Sequence, residues 1–327
     1  MKVKTIVYAL IVTGITLTGT ISCSNDDDDD EWGNWVDRSV LDGIPRGNAA
    51  SFTVGNKGYM ATGYDGDDYL NDFWVYDMDG NFWRQLADFP GIERSAAVGF
   101  TLNGDGYVGL GYDGDNELGD FYKYNVATNS WDSIAPFAGT PRRGATAFNS
   151  DTFGYVGTGY DGDNDKKDFW KYDPVADEWT ELVGFGGNKR RDATYFRIED
   201  KVYFGTGETN GQYLTDFWAF DLTSEKWIPL LDLDEEDDYF IARSNSVGFN
   251  IGTYGYLATG KGGIGVWEYD PSRDYWEEKT AFEGVAREGA VGFYNGGKAF
   301  VSTGKSGTLY LDDTLEFFPF QEEDEDD

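Results

Sequence analysis

The sequence predicts an all-β protein, a six-bladed β-propeller of four-stranded blades in which the N-terminal strand completes the last blade. Three observations carry this expectation. Trp35, Trp83, Trp131, Trp179, Trp227 and Trp276 are spaced 48, 48, 48, 48 and 49 residues apart. Gly63, Gly111, Gly159, Gly207, Gly260 and Gly304 keep the same period, as do Arg46, Arg94, Arg143, Arg191, Arg243 and Arg287. Each period holds four short β-rich runs bounded by Gly, Asn or Asp, and residues 32–320 show no sustained helical period. Such a unit cannot bury its own apolar face, so neighbouring copies must pack together.

In chain order, Lys2 and Lys4 precede an apolar run from Ile6 to Ile21, a charged n-region followed by a hydrophobic stretch too weakly apolar for a membrane span. Thr20-Ile21-Ser22-Cys23 comes next, then the acidic run Asp26 to Glu31. These residues resemble a bacterial lipoprotein signal. The resemblance implies a signal peptide over 1–22, Cys23 as the lipidated first residue of the mature chain, and an acidic tether over 23–31 of the kind carried by Bacteroidetes-type lipoproteins. An outer-membrane, surface-exposed location follows as the expectation, with the membrane touched only through the lipid. The same residues also fit an ordinary cleaved secretory signal with an incidental cysteine.

The third copy shows the repeat well. It runs Arg143-Gly-Ala-Thr-Ala-Phe148, Gly154-Tyr-Val-Gly-Thr-Gly159, Asp168-Phe-Trp-Lys-Tyr-Asp173 and then Trp179, four strands joined by hairpins. A tryptophan strand, Gly33 to Asp37, precedes the first arginine, whereas none follows the last copy's Asp313 to Phe317. The N-terminal strand is therefore expected to complete blade six and hide two sheet edges. The ring should span 32–320, followed by an acidic tail over 321–327.

These motifs resemble the kelch family: the entry arginine, a Tyr/Phe-x-x-x-Gly strand, an Asp-Phe-Trp-x-Tyr-Asp strand and a final tryptophan. Where that family has a double glycine, this chain has Thr62-Gly63 and Leu110-Gly111. The resemblance implies a propeller with up-and-down strands, in which the arginines and the segments after the repeat glycines share one face near the central channel.

Composition excludes much chemistry. With no histidine there is no Ser-His-Asp triad, no Cys-His pair and no imidazole metal ligand. One cysteine allows no internal disulfide and no thiolate zinc site. Sixty acids against 26 bases argue against a nucleic-acid partner. Eighteen of those acids lie in three runs at 26–31, 232–238 and 322–327, and the remaining body is still acidic. No cofactor and no oligomer are called for, and a monomer is expected. Most of the 11 tryptophans recur in register and read as inter-blade core, leaving Trp32 outside the repeat.

The candidate ligand-binding residues lie on the channel face. They are the arginines Arg46, Arg94, Arg143, Arg191, Arg243 and Arg287, together with Tyr64, Tyr112, Tyr160, Glu208, Lys261 and Lys305 from the segments after the glycines. One reading pairs Arg46, Arg94 and Arg143 with the acids of the Asp-Gly-Asp loops or with turn carbonyls, tying blade to blade. The other makes Arg243, Lys261, Arg287 and Lys305 an anion site, with the insertion 232–238 able to fold over it. Asp161, Asp163 and Asp165 alternate like calcium ligands, but the loop lacks the glycine and glutamate of an EF-hand and also reads as a hairpin turn.

The expected function is a non-catalytic binding module engaging a glycan, an acidic sugar or a protein on that face. The alternative is a sugar-modifying enzyme. Kelch-like propellers include a copper-radical oxidase, whose histidine ligands this chain lacks, and a sialic-acid epimerase, for which Glu208 is the one distinctive carboxylate. Fold alone assigns neither activity.

Overall fold

The computed structural model describes residues 32–233 and 241–324. The segments expected to be a signal and a tether, Cys23 and most of the acidic insertion lie outside the described residues. Within them the architecture is all-β, in six four-stranded antiparallel sheets arranged as a propeller. Blade one consists of Ala50–Val54, Lys57–Ala61, Phe73–Asp77 and Phe82–Gln85, from the channel outward. The other blades repeat this order. Blade six combines Val291–Tyr294, Ala299–Ser302 and Thr314–Glu322 with the N-terminal strand Trp32–Arg38, which pairs Trp35 with Phe317 and Asp37 with Leu315. The closure expected from the sequence is present, and its strand continues past residue 320 to Glu322, opposite Trp32.

Packing between blades explains the repeat. Each inner strand buries a phenylalanine: Phe52, Phe100, Phe148, Phe196, Phe249 and Phe293. Its ring lies over the second strand of the next blade, where a side chain has no room. A Cβ on Gly106, Gly154 or Gly255 would sit 2.0–2.4 Å from Phe52, Phe100 or Phe196, respectively. The outer tryptophan reaches back the other way. Trp131 meets Phe73 at 4.9 Å, Trp179 meets Phe121 at 5.0 Å and Trp227 meets Phe169 at 4.8 Å. Contacts of this kind add about 0.5–1.5 kcal/mol each beyond their buried area. The tryptophan period is therefore a packing period, as the sequence implies.

The alternation of strands gives the ring two faces. Blade-to-blade connections and the loops between second and third strands lie on one, called here the entry face. The tight turns after first and third strands lie on the other, the hairpin face. At the entry end of the channel the backbone closes on itself. Asn48, Ala96, Gly144, Asp192, Asn245 and Gly289 each donate an N–H to the carbonyl of the residue before it in the ring, Asn48 donating to Gly289, at 2.8–3.1 Å. All six have φ between 50° and 65°, the left-handed region. This cycle constricts the channel to a space of about 100 Å³.

Candidate functional site

The entry arginines prove to be two different sets. Arg46, Arg94, Arg142, Arg190, Arg243 and Arg287 are fully or almost fully buried. Five of them grip, 26 residues on, the aspartate that opens the third strand of the same blade: Asp72, Asp120, Asp168, Asp216 and Asp313. Arg142 holds Asp168 through both nitrogens at 2.7 and 2.8 Å, and also donates to the carbonyls of Thr140 and Thr158. In blade five Gly265 replaces the aspartate, and Arg243 donates instead to the carbonyls of Thr259, Gly263 and Gly265. Burial pushes its pKa down to about 10.

Two expectations are corrected here. In blades three and four the repeat arginine is Arg142 and Arg190, not Arg143 and Arg191; a strict 48-residue step from Arg94 finds both. The buried side chains do take turn carbonyls, as one reading allowed, but within their own blade, and the acids they hold open the third strand rather than belonging to the Asp-Gly-Asp loops. The tie between blades is made by the backbone, since each buried arginine's carbonyl accepts from the repeat glycine of the blade before, Gly63 to Arg94 at 2.8 Å being one case.

That backbone tie accounts for Thr-Gly. Thr62, Leu110, Thr158, Thr206, Thr259 and Thr303 all sit at φ of 57–68°, a region glycine would enter more easily. Their carbonyls are the ones that the buried arginines take, so the surrounding bonds hold the strained conformation in place.

Above this layer lies the exposed site. The loop after each repeat glycine is a small hairpin in blades one to four and six, bridged Tyr64 to Tyr69, Tyr112 to Glu117, Tyr160 to Asp165, Glu208 to Tyr213 and Lys305 to Tyr310. Blade five has only the shorter Lys261–Ile264 stretch at this position. The second member of each pair leans on the next loop: a Cβ on Gly66 would meet Tyr310 at 2.8 Å, and one on Gly114 would meet Tyr69 at 2.8 Å. The result is a continuous arc of half-exposed rings. Tyr310 meets Tyr64 at 5.9 Å, Tyr64 meets Tyr69 at 4.8 Å, and Tyr69 meets Tyr112 at 6.0 Å. Arg143 then lies over Tyr112 at 4.2 Å and Tyr160 at 5.3 Å, and Arg191 over Tyr160 at 5.0 Å.

Charges on this face are largely matched. Arg191 pairs with Glu208 at 3.0 Å and Asp165 at 3.2 Å, Arg143 with Glu117 at 3.6 Å, Lys261 with Glu208 at 3.3 Å and Lys305 with Glu288 at 3.3 Å. The four-cation cluster is not brought together at the surface: Arg243 and Arg287 are buried, and both lysines have carboxylate partners. Burial alone would raise the Glu208 pKa, but Arg191 and Lys261 outweigh it and hold the carboxyl below its ordinary value. Asp192, in the constriction, goes the other way: burial raises it to about 6, with Arg191 opposing and Glu208 and Glu288 adding to the rise.

The Asp-Gly-Asp loops have a structural use. Asp161 Oδ1 accepts from the amides of Asp163 and Asn164, and its other oxygen takes Lys166 at 2.8 Å. Asp165 serves Arg191 and Thr209. Asp65 and Asp113 cap their own turns in the same way. Among the described residues, no three such side chains converge as metal ligands do.

The kelch motif family model matches residues 45–90, which cover the entry segment and all four strands of blade one. The matched motif and the six four-stranded blades together support a kelch-repeat propeller. No curated protein sequence matches it. In this ring the repeat supplies the buried arginine, the phenylalanine and the tryptophan. The tyrosine arc, Arg143 and Arg191 lie outside that shared core.

Proposed function

We propose that this kelch-repeat propeller is a non-catalytic interaction module that seats a protein partner on its entry face. The arc from Tyr310 to Arg191 supports this reading. Half-exposed tyrosines interleaved with arginines form the composition that carries binding energy in protein interfaces. Their charges are already matched, which suits a polar and aromatic partner surface better than a small anion.

Glu208 suits a sugar epimerase poorly. Its carboxyl is ion-paired to Arg191 and Lys261, which hold it ionised below its ordinary pKa. In the same reading the ring is displayed on the cell envelope through Cys23, a part that rests on the sequence of residues 2–31 alone; Cys23→Ala should then release the protein from the membrane fraction, and retention would refute the anchor.

The test of the binding role compares the full chain with Tyr112→Ala/Tyr160→Ala in equilibrium binding to proteins of an envelope extract. Loss of a partner held by the unaltered chain, at unchanged melting temperature, is expected. Equal capture by both chains would contradict the reading.

A further inference from the structure

A cavity of about 580 Å³ occupies the channel on the other side of the hydrogen-bond ring, well within the range of small-molecule sites. It extends from Ala193 and Ser246, just inside that ring, to Glu199 and Asn295 at the hairpin turns. Inner-strand side chains that face it depart from the repeat in two blades. Where other blades offer Gly, Ala or Ser, blade four offers Tyr195; where others offer Thr or Asn, blade six offers Tyr294 and blade four Arg197. Close packing of the inner strands explains the glycines, since a Cβ on Gly99 would lie 2.5 Å from the Ser51 carbonyl and one on Gly248 2.2 Å from that of Tyr195. It does not call for the two tyrosines.

The wall mixes apolar rings with polar groups, and its carboxylate, Glu199, lies at the hairpin-turn mouth. Tyr195 and Tyr294 both line the cavity, and burial raises both hydroxyls above the ordinary tyrosine pKa. Arg197 donates to the carbonyls of Glu199 and Asn149 and to the Asp151 carboxylate at 2.9 Å, which balances its charge. Asn149 and Asn250 turn their amide nitrogens to the carbonyls of Ser150 and Gly252, leaving their own side-chain oxygens as acceptors.

We propose that the lumen is a second binding site, entered from the hairpin face, that takes a neutral hexose-type sugar between Tyr195, Tyr294 and Asn250. Aromatic faces beside uncharged donors and acceptors match a sugar's alternating C–H and O–H surfaces. A charged sugar would meet no uncompensated cation. The proposal does not depend on the entry-face reading.

The experiment is calorimetric titration of the full chain with glucose, galactose, mannose and N-acetylglucosamine, and with glucuronic acid as the charged comparison. At least one neutral sugar should bind. Tyr294→Phe, which removes a hydroxyl while keeping the ring, should weaken binding about tenfold or more without moving the melting temperature. Tyr112→Ala on the entry face should leave it unchanged. Binding of none of the neutral sugars, preference for glucuronic acid, or sensitivity to Tyr112→Ala and not to Tyr294→Phe would each overturn the proposal.

Discussion

A buried guanidinium is costly to desolvate, and this ring accepts that cost in all six blades. Five aspartates and a set of backbone carbonyls compensate it, so each arginine clamps the entry segment, the turn after the second strand and the start of the third. Removing one partner leaves a charge stranded. Asp168→Ala should lower stability by about 3 kcal/mol in denaturant unfolding. The double change Arg142→Met/Asp168→Leu should cost less than that single change, because no unpaired charge remains. A double variant at least as unstable as Asp168→Ala would show that the pair itself, rather than the stranded charge, is what matters. Asp192 carries a different signature. Its pKa rises to about 6 on folding, so the folded state binds the proton more tightly than the unfolded chain does. Stability from this group is therefore greatest below about pH 4 and falls as pH rises through 6. With its side chain 25% exposed, Asp192→Asn should raise stability at pH 7.5 by about 1–2 kcal/mol and flatten the profile between pH 4 and 6. An unchanged profile would refute this assignment.

Strands and loops differ in how far the sequence exposes them. Four strands per period, the closing N-terminal strand and the tryptophan core were all legible, because packing forces a residue to recur wherever the same neighbour recurs. Closure depends on Trp35, which is 2% exposed and packs on Phe282 at 4.8 Å and Phe317 at 4.6 Å. Trp35→Ala should cost about 3–5 kcal/mol, whereas Trp32→Ala, 45% exposed, should shift thermal unfolding little. Equal effects would contradict the closure account. Arg143 and Arg191 were harder to place. Adjacent arginines in blades three and four let the buried and exposed members exchange in a visual alignment, and only the spacing to Asp168 and Asp216 separates them. Partners such as Tyr69, Glu117 and Tyr310 had no repeat signature, since that position changes from blade to blade. Asp192 was hidden for another reason: its environment combines Arg191 and Glu208 of its own blade with Arg143 and Glu288 from two others.

Across the whole molecule, repetition makes the frame and departure from repetition marks the surfaces offered to ligands. The frame is the six-bladed ring with its buried clamps, its phenylalanine-on-glycine contacts and its closed cycle of backbone hydrogen bonds. The departures are the aromatic and arginine arc on the entry face, the shortened loop of blade five, and the two tyrosines in the lumen. The acidic runs at 26–31, 232–238 and 322–327 add to an already acidic body, a charge that repels nucleic acid without defining a site. The central claim, a partner seated on the entry face, is tested most directly by photo-crosslinking from a benzophenone residue placed at Tyr112 or, for comparison, at the outer turn position Val175, which is 95% exposed. The account expects a discrete adduct with a protein from Tyr112 and none from Val175. An adduct from Val175 with none from Tyr112, or no adduct from either, would contradict it.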